Sequence, residues 1–229
     1  MKYSAVFIAA GMVLLVLALI TKGLALTLLW PAADLFLLAF AYGRNEPKWL
    51  GKRVDGSLDP LRIFVFAPYF FLTWICWNGY VRLVREAWSH EVAPNLWVGR
   101  RPSPRHVPVG ALVVDLTAEF SAHKSLIGQE QLLCLPTLDA RSPGSTALRK
   151  LARRLVTAPH PLYIHCAQGH GRSATLAAVI MVLRGDVSTI EEAIAEMQRI
   201  RPLVHLHSVQ LRDAIQALAE PEDVQRLRN

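Results

Sequence analysis

The stretch HCAQGHGRSA (residues 165–174) says more about the fold than any other part of this sequence. It follows the apolar segment PLYI (161–164), which is typical of a buried strand, and it leads into SATLAAVIMVLR (173–184), which has the apolar content of a core helix. A loop between a strand and a helix brings backbone N–H groups together at the helix N-terminus, where they favour negative charge. The sequence therefore predicts an anion-binding loop here.

The side chains of this loop match the needs of nucleophilic displacement at phosphorus. Cys166 becomes a nucleophile when it ionises, and N–H donors around it stabilise the thiolate. Arg172 presents a planar fork that can bind two phosphoryl oxygens, and Ser173 can donate a hydrogen bond to the departing sulfur. His165 is expected to tune the pKa of the cysteine through hydrogen bonds to the loop backbone. The rest of the predicted phosphate-binding loop is Ala167, Gln168, Gly169, His170 and Gly171.

These residues resemble the signature H-C-x-x-G-x-x-R-[ST] of the cysteine-dependent protein tyrosine phosphatase superfamily. Every fixed position is filled, by His165, Cys166, Gly169, Arg172 and Ser173. The strand-like segment ALVVDLTAEF (111–120) is most similar to the dual-specificity branch. The resemblance implies catalysis through a phosphocysteine in an α/β domain over residues 90–220, followed by a tail at 221–229. Neither a metal nor another cofactor is expected, because no ligand cluster indicates one.

The pattern of residues 90–220 agrees with an α/β fold. Short segments at 95–99, 111–117, 131–136 and 161–166 predict strands, and helical periodicity at 145–156 and 208–218 predicts helices. Another helix is predicted to begin with a capping box of Ser188 and Glu191. Alternating strands and helices favour a central, mainly parallel sheet flanked by helices. The helix at 145–156 has a basic face that is either solvated or in contact with anionic lipid, formed by Arg149, Lys150, Arg153 and Arg154.

Two further details of the phosphate-binding loop can be predicted. Gly169 and Gly171 are expected to adopt positive φ, which turns the loop amides inward. His205 and His207, together with Arg201, follow the helix predicted to begin at Ser188, where the branch places residues that pack behind the loop. We therefore expect structural support from these three residues rather than substrate contact. Arg100 and Arg101 are expected to be solvated, with contact to substrate or lipid as the alternative.

The reaction also needs an acid that protonates the leaving oxygen. The dual-specificity branch places an aspartate on a loop after the strand that precedes the Cys166 strand, and LLCLPTLDARSPG (132–144) offers Asp139 there. Asp115 is the alternative, but it falls within an apolar strand pattern, which favours a structural hydrogen-bonding role. Asp139 is therefore the predicted general acid.

The first third of the chain has the composition of a membrane region. Three apolar runs at 3–21, 24–42 and 63–81 are each about as long as a spanning helix needs to be, which is roughly 20 residues. Residues 1–82 are therefore predicted to form a transmembrane region of about three helices, with a turn near residues 21–23. A cleaved signal peptide is the alternative for the first run, but no small-residue cleavage site follows it. Asp34, inside the second run, is expected to make an interhelical hydrogen bond or to mark a headgroup pocket.

These observations predict a multi-pass protein surrounded by membrane lipids. The absence of transit-peptide composition indicates a bacterial inner membrane, and a reactive thiolate favours a cytoplasmic catalytic domain. Sidedness stays open, because both flanks of the third run are basic. The net charge is +7, but the arginines do not form one block, so nucleic acid is not an expected partner.

The predicted function is hydrolysis of a phosphomonoester, and two substrate classes stay open. One is a phosphorylated protein. The other is a phospholipid monoester such as phosphatidylglycerophosphate, since the mitochondrial-type phosphatases for that lipid belong to the same branch. Ala167 and Gln168 are neutral, whereas phosphoinositide phosphatases of the superfamily carry basic side chains in the loop, so a multiply phosphorylated inositol is not favoured. The alternative to an enzyme is a catalytically weak pseudophosphatase that recruits a partner to the membrane.

Overall fold

The computed structural model describes residues 2–219, so the predicted tail at 221–229 lies outside the described residues. The chain divides into two compact units. The helical unit holds most residues up to Glu86 together with Ala118–Ser121. The sheet unit holds Val54–Gly56, Ala87–Thr117 and the residues from Ala122 onward.

The helical unit begins with an antiparallel pair of helices. Helix α1 (Lys2–Thr21) is followed by a 3-10 helix (Gly23–Leu28) and by α2 (Leu29–Arg44). The chain reverses where Lys22 and Gly23 both adopt a φ of 56°, as the predicted turn near residues 21–23 requires. The Ser4 hydroxyl of α1 donates to the Ala39 carbonyl of α2 at 2.7 Å, which fixes the two helices side by side. By length and composition, Tyr3–Thr21 and Gly23–Arg44 are each sufficient to cross a membrane.

The third apolar run forms two helices instead of the one that was expected over 63–81. After a 3-10 helix (Pro47–Leu50), helix α3 (Pro60–Val65) is capped by Asp59, whose carboxylate accepts the N–H groups of Leu61 and Arg62. Phe66, with φ −97° and ψ 20°, interrupts the helix, and α4 (Ala67–Leu83) follows. Among residues 2–219, only the two earlier segments meet the length and hydropathy expected of a spanning helix.

Asp34 joins α2 to α4. Its side chain is buried, and Oδ2 accepts the backbone N–H of Tyr69 at 2.8 Å. Tyr69 lies in the first turn of α4, where the N-cap residue Phe66 provides no side-chain acceptor. Because the first N–H groups of a helix have no partner within it, Asp34 supplies the missing cap from another helix. Of the two roles expected of Asp34, the structure shows the interhelical hydrogen bond.

The sheet unit contains a five-stranded, mainly parallel sheet in the order β1-β2-β5-β3-β4. Its strands are β1 (Ser89–Ala93), β2 (Leu96–Gly99), β3 (Leu112–Thr117), β4 (Leu132–Thr137) and β5 (Leu162–His165). The four predicted strands are present and pair in parallel, while β1 was not predicted and pairs with β2 in antiparallel register. In the centre of the sheet, His165 lies opposite Gly99 on one side and Asp115 on the other.

Four helices cover the sheet: α5 (Ser145–Val156), α6 (Arg172–Arg184), α7 (Ile190–Ile200) and α8 (Ser208–Ala219). Most of α6 is buried, as its apolar sequence predicts. The predicted capping box of Ser188 and Glu191 is not formed: the N-cap of α7 is Thr189, whose hydroxyl accepts the N–H of Glu192, while the Glu192 carboxylate accepts the N–H of Ser188. Arg149 of α5 is buried and donates to the Ala217 carbonyl, so the basic face of this helix lacks one of its four predicted members.

Candidate active site

The loop of residues 166–171 joins β5 directly to α6, whose N-cap is Gly171. Gly169 has a φ of +81°, and a Cβ there would lie 2.5 Å from the carbonyl carbon and oxygen of Gly99. Gly169 is therefore required both by its backbone conformation and by the close approach of β2. Gly171 differs from the prediction, because its φ is −106°. A Cβ on Gly171 would lie 3.1 Å from the Gln210 side chain, so this glycine avoids a steric contact rather than providing a left-handed turn.

The Cys166 thiol lies within a ring of hydrogen-bond donors. The Gly169 N–H donates to Sγ at 3.2 Å, and the Ser173 hydroxyl lies 3.4 Å from Sγ. Burial by itself raises the pKa of this thiol. The Arg172 charge, the Ser173 hydroxyl and the backbone N–H groups of Ser173 and Gly169 act in the opposite direction, and the net pKa of Cys166 is below its usual value. The site therefore favours the thiolate, which is the nucleophilic form.

Arg172 is buried at the first turn of α6 and contacts the end of β4. Its Nη1 donates to the Thr137 carbonyl at 2.8 Å, and its Nη2 lies 3.0 Å from Oδ1 of Asp139. The Asp139 side chain is 70% exposed, so this ion pair lies at the mouth of the site. The structure thus brings the predicted nucleophile, arginine and acid together around one opening.

A cavity of about 180 Å³ opens at this point. Its walls are formed by Asp139, Ala140, Cys166, Gln168, His170, Gly171, Arg172, His205, His207 and Gln210. Among these residues only Arg172 carries a permanent positive charge. The cavity therefore has donors for one phosphoryl group and otherwise a mostly neutral, polar lining.

The segment after α7 divides into a supporting part and a cavity-lining part. Arg201 is fully buried, and its guanidinium donates to the carbonyls of Gly169 at 3.0 Å and Gln168 at 2.8 Å, so it supports the loop from behind as expected. His205 and His207 line the cavity, which contradicts the expectation that they only pack behind the loop. The alternation of apolar residues and histidines in VHLH (204–207) is the signal that could have identified them, because it predicts that both rings face one side.

Asp115 and His165 lie behind the loop instead of in the cavity. Oδ1 of Asp115 accepts the backbone N–H of Thr117 at 2.8 Å and the Thr117 hydroxyl at 2.6 Å, which is the structural role predicted for this aspartate. His165 is buried, with Nε2 3.9 Å from Oδ1 of Asp115 and Nδ1 3.3 Å from the Cys166 carbonyl oxygen. The ring thus contacts the backbone of Cys166 and is out of reach of a bound substrate.

Of the two arginines after β2, Arg100 differs from its expected position, whereas Arg101 is half-buried. The Arg100 side chain is buried, although a solvated position was expected, and its carbonyl accepts the Tyr163 hydroxyl at 3.0 Å. The Arg101 N–H donates to the Ala167 carbonyl at 3.3 Å, which fixes one side of the loop. Neither residue is among those that line the cavity.

No protein-family model and no curated protein matches this chain. Solved structures do resemble it. The structure of PTPMT1 in complex with PI(5)P has a TM-score of 0.50 at 20% identity, over 62% of this chain and 99% of that one. The active form of Tk-PTP has a TM-score of 0.50 at 21% identity, over 57% and 95% of the two chains. Human DUSP28 has a TM-score of 0.48 at 17% identity, over 60% and 98%. With its five-stranded, mainly parallel sheet, its helices and its similarity to PTPMT1 and Tk-PTP, the sheet unit has the fold of the dual-specificity branch of the cysteine-dependent protein tyrosine phosphatases.

Proposed function

We propose that this protein is a cysteine-dependent phosphomonoester hydrolase that acts on a phospholipid monoester at a membrane. The observation that carries the proposal is the position of the Cys166 sulfur, which accepts a loop N–H beside the buried Arg172 and shares a cavity with Asp139. Cys166, Arg172 and Asp139 are the catalytic residues of this proposal. The other loop residues bind the phosphoryl oxygens through their backbone N–H groups, and Ser173 donates to the sulfur.

In the first step the Cys166 thiolate attacks phosphorus and the bond to the ester oxygen breaks. Protonated Asp139 gives its proton to that oxygen, so the alcohol leaves neutral and the PO₃ group stays on sulfur. Arg172 and the loop N–H groups bind the equatorial oxygens as charge spreads over them. Asp139 contacts the Arg172 guanidinium at 3.0 Å in the structure. Substrate oxygens take that place when they bind, which frees the acid to approach the leaving group.

In the second step a water molecule attacks the phosphocysteine. The Asp139 carboxylate accepts a proton from the water, the bond between sulfur and phosphorus breaks, and inorganic phosphate forms. The sulfur leaves as a thiolate, and the hydroxyl of Ser173, 3.4 Å from Sγ, stabilises the charge that returns to it. The cycle ends with the same protonation states with which it began, apart from the protons of the product phosphate.

Two features of the chain support a phospholipid as the substrate. The two apolar segments Tyr3–Thr21 and Gly23–Arg44 would attach the enzyme to a bilayer, which raises the local concentration of a lipid headgroup. The cavity has one permanently cationic side chain, Arg172, which suits a single phosphate such as the terminal monoester of phosphatidylglycerophosphate. The crystal structure of PTPMT1, which has a similar fold, is a complex with PI(5)P. We place residues 1–82 in a bacterial inner membrane and the catalytic domain, residues 90–220, in the cytoplasm.

The test is phosphate release by the detergent-solubilised full-length protein. The panel contains phosphatidylglycerophosphate, phosphatidic acid, a phosphoinositide and phosphotyrosine and phosphoserine peptides, with Cys166→Ser as the matched control and vanadate as inhibitor. We expect turnover of a phospholipid monoester that the control variant lacks, and a PO₃ adduct on Cys166 in trapped enzyme. Preferential turnover of the peptides would make the protein a phosphoprotein phosphatase. Binding without turnover of any substrate would make it a pseudophosphatase, and activity that survives Cys166→Ser would exclude the phosphocysteine mechanism.

A further inference from the structure

The segment of residues 204–207, between α7 and α8, presents two imidazole rings to the cavity. Val204 and Leu206 are buried, whereas His205 and His207 are exposed and line the cavity wall. This alternation is what an extended segment produces, because successive side chains point in opposite directions. The two rings meet edge to face with their centroids 5.6 Å apart, so they form one continuous patch.

The backbone beneath these rings is tied to both catalytic loops. The His205 N–H donates to the His170 carbonyl of the phosphate-binding loop at 3.1 Å. The His207 N–H donates to Oε1 of the buried Gln210 at 2.9 Å, and Nε2 of Gln210 donates to the Arg141 carbonyl at 3.0 Å. Arg141 is two residues from Asp139. The backbone that carries the two imidazoles is thus tied to the loops of the nucleophile and the acid.

The ring nitrogens of His205 and His207 are available to a ligand. Within residues 2–219, each of these side chains has the other ring as its described partner, and neither donates to or accepts from a protein group. An imidazole has an N–H donor in both its neutral and its protonated form. The cavity therefore presents two donor side chains that the phosphoryl-transfer steps do not use.

We propose that His205 and His207 bind a second anionic group on the substrate and so determine specificity. This inference rests on the proposed phosphatase function. The guanidinium of Arg172 and the loop N–H groups are committed to the phosphoryl group, so a further anion in the same cavity needs other donors. The favoured substrates are phosphomonoesters whose leaving group bears a phosphodiester a few bonds from the ester oxygen. A monoester with an uncharged leaving group lacks this contact.

The experiment compares two soluble substrates that differ only at the remote end. One is 3-hydroxypropyl phosphate, and the other has a methyl phosphodiester in place of the free hydroxyl. We expect full-length wild type to prefer the phosphodiester compound by about tenfold in kcat/KM, since a hydrogen bond to a charged group is worth about that factor. In the double variant His205→Ala/His207→Ala the preference disappears through a rise in KM. His205→Gln/His207→Gln restores part of it because the amide keeps an N–H donor. His160→Gln, an exposed histidine between α5 and β5, is the control and leaves the ratio as in wild type.

Three outcomes overturn the inference. One is a wild type without preference, the second is an alanine variant that keeps the preference, and the third is an equal loss on both substrates, which would indicate a structural role. A melting temperature for each variant shows whether it is folded. If the double alanine variant does not fold, the substrate preference of the double glutamine variant provides the test instead. Failure of the phosphatase proposal looks different, because wild type and Cys166→Ser would then release no phosphate from either compound.

Discussion

The phosphate-binding loop (residues 166–171) and the loop that carries Asp139 (residues 138–144, the acid loop) face the same cavity but are built differently. The phosphate-binding loop is fixed by long-range contacts: Arg201 donates to two of its carbonyls, and Gly169 packs against the Gly99 backbone. The acid loop has short-range hydrogen bonds, from the Arg141 N–H to the Leu138 carbonyl at 3.1 Å and from the Gly144 N–H to the Ser142 hydroxyl at 3.2 Å, and its Asp139 side chain is 70% exposed. Its long-range ties include the Gln210 side chain and the ion pair between Asp139 and Arg172.

This difference matches the chemical tasks of the two loops. A thiolate needs donors that are already oriented when it forms, because reorganisation at the moment of reaction costs free energy. The acid must protonate one oxygen in the first step and deprotonate a water molecule in the second, so the exposed side chain of Asp139 suits it. The comparison predicts that the phosphate-binding loop tolerates little change in its backbone and that the acid loop tolerates more.

The largest expected effect is that of Gly169→Ala. Alanine at φ +81° is strained by about 1–2 kcal/mol, and its Cβ would lie 2.5 Å from backbone atoms of Gly99 that cannot rotate away. We expect the free energy of unfolding to fall by about 2–5 kcal/mol and activity to be lost with it, as measured by chemical unfolding and phosphate release. Gly171→Ala is the matched control, because the atom nearest to its Cβ is the Gln210 side-chain oxygen at 3.1 Å, the His205 carbonyl oxygen lies at an ordinary 3.5 Å, and its φ is negative. An equal decrease in the free energy of unfolding for the two variants would contradict the prediction that the phosphate-binding loop tolerates little change at Gly169.

Asp139→Asn should distinguish an effect on the chemical step from an effect on stability. Because asparagine cannot donate a proton to the leaving oxygen, kcat on alkyl phosphates should fall by about 10²–10³-fold, while an aryl phosphate with a good leaving group should be affected far less. The comparison variant is Asp115→Asn, which changes a buried group bonded to Thr117. That variant should lower stability and reduce the rates on both substrates alike. If the rate loss depends on the leaving group in Asp115→Asn but not in Asp139→Asn, Asp115 in β3 is the general acid instead.

The sequence predicted the phosphate-binding loop better than its surroundings, for physical reasons. Cys166, Gly169 and Arg172 belong to one local strand–loop–helix unit, so their spacing alone brings them together. The strand β1 was missed because SHEVA has three polar residues and lies at the sheet edge, where an apolar pattern is not required. The resemblance implied a supporting role for His205 and His207. In the structure the burial of Val204 and Leu206 turns both rings to the cavity side.

Arg149 and Phe66 were also mispredicted, because their positions depend on residues that are distant in the sequence. Arg149 lies on the predicted basic face of α5, yet the carbonyl end of α8 draws it into the interior. A buried arginine that caps a distant helix has no signal in a local window of sequence. The break at Phe66 between α3 and α4 was likewise not predicted, because hydropathy records apolar content and not the caps supplied by Asp59 and Asp34.

The pH dependence offers a smaller test of the phosphate-binding loop. The thiolate is the reactive form and the pKa of Cys166 is lowered, so activity should rise with pH through a value below that of an ordinary thiol and be lost below it. Ser173→Ala removes one donor to the thiolate, so the rising part of its pH profile should move to higher pH. The measurement is the pH profile of kcat/KM on an aryl phosphate, with Ser188→Ala, an exposed serine before α7, as control. If the rising part of the kcat/KM profile lies at the same pH in Ser173→Ala as in wild type, Ser173 does not stabilise the thiolate.

The smallest expected effect is that of Ala140→Gly, which is the reverse of the substitution at Gly169 and is also made at a residue with positive φ. Ala140 follows the acid, lines the cavity and has a φ of 55°, a left-handed conformation that costs an alanine about 1–2 kcal/mol. Glycine removes this strain but adds backbone freedom worth about 0.5–1 kcal/mol in the unfolded chain. The free energy of unfolding should therefore change by less than about 1 kcal/mol. We expect kcat on an alkyl phosphate to fall only about two- to threefold with KM unchanged, because the orientation of the Asp139 side chain becomes less fixed. A loss as large as that of Gly169→Ala would show that the acid loop is as rigidly required as the phosphate-binding loop and would remove the distinction between them.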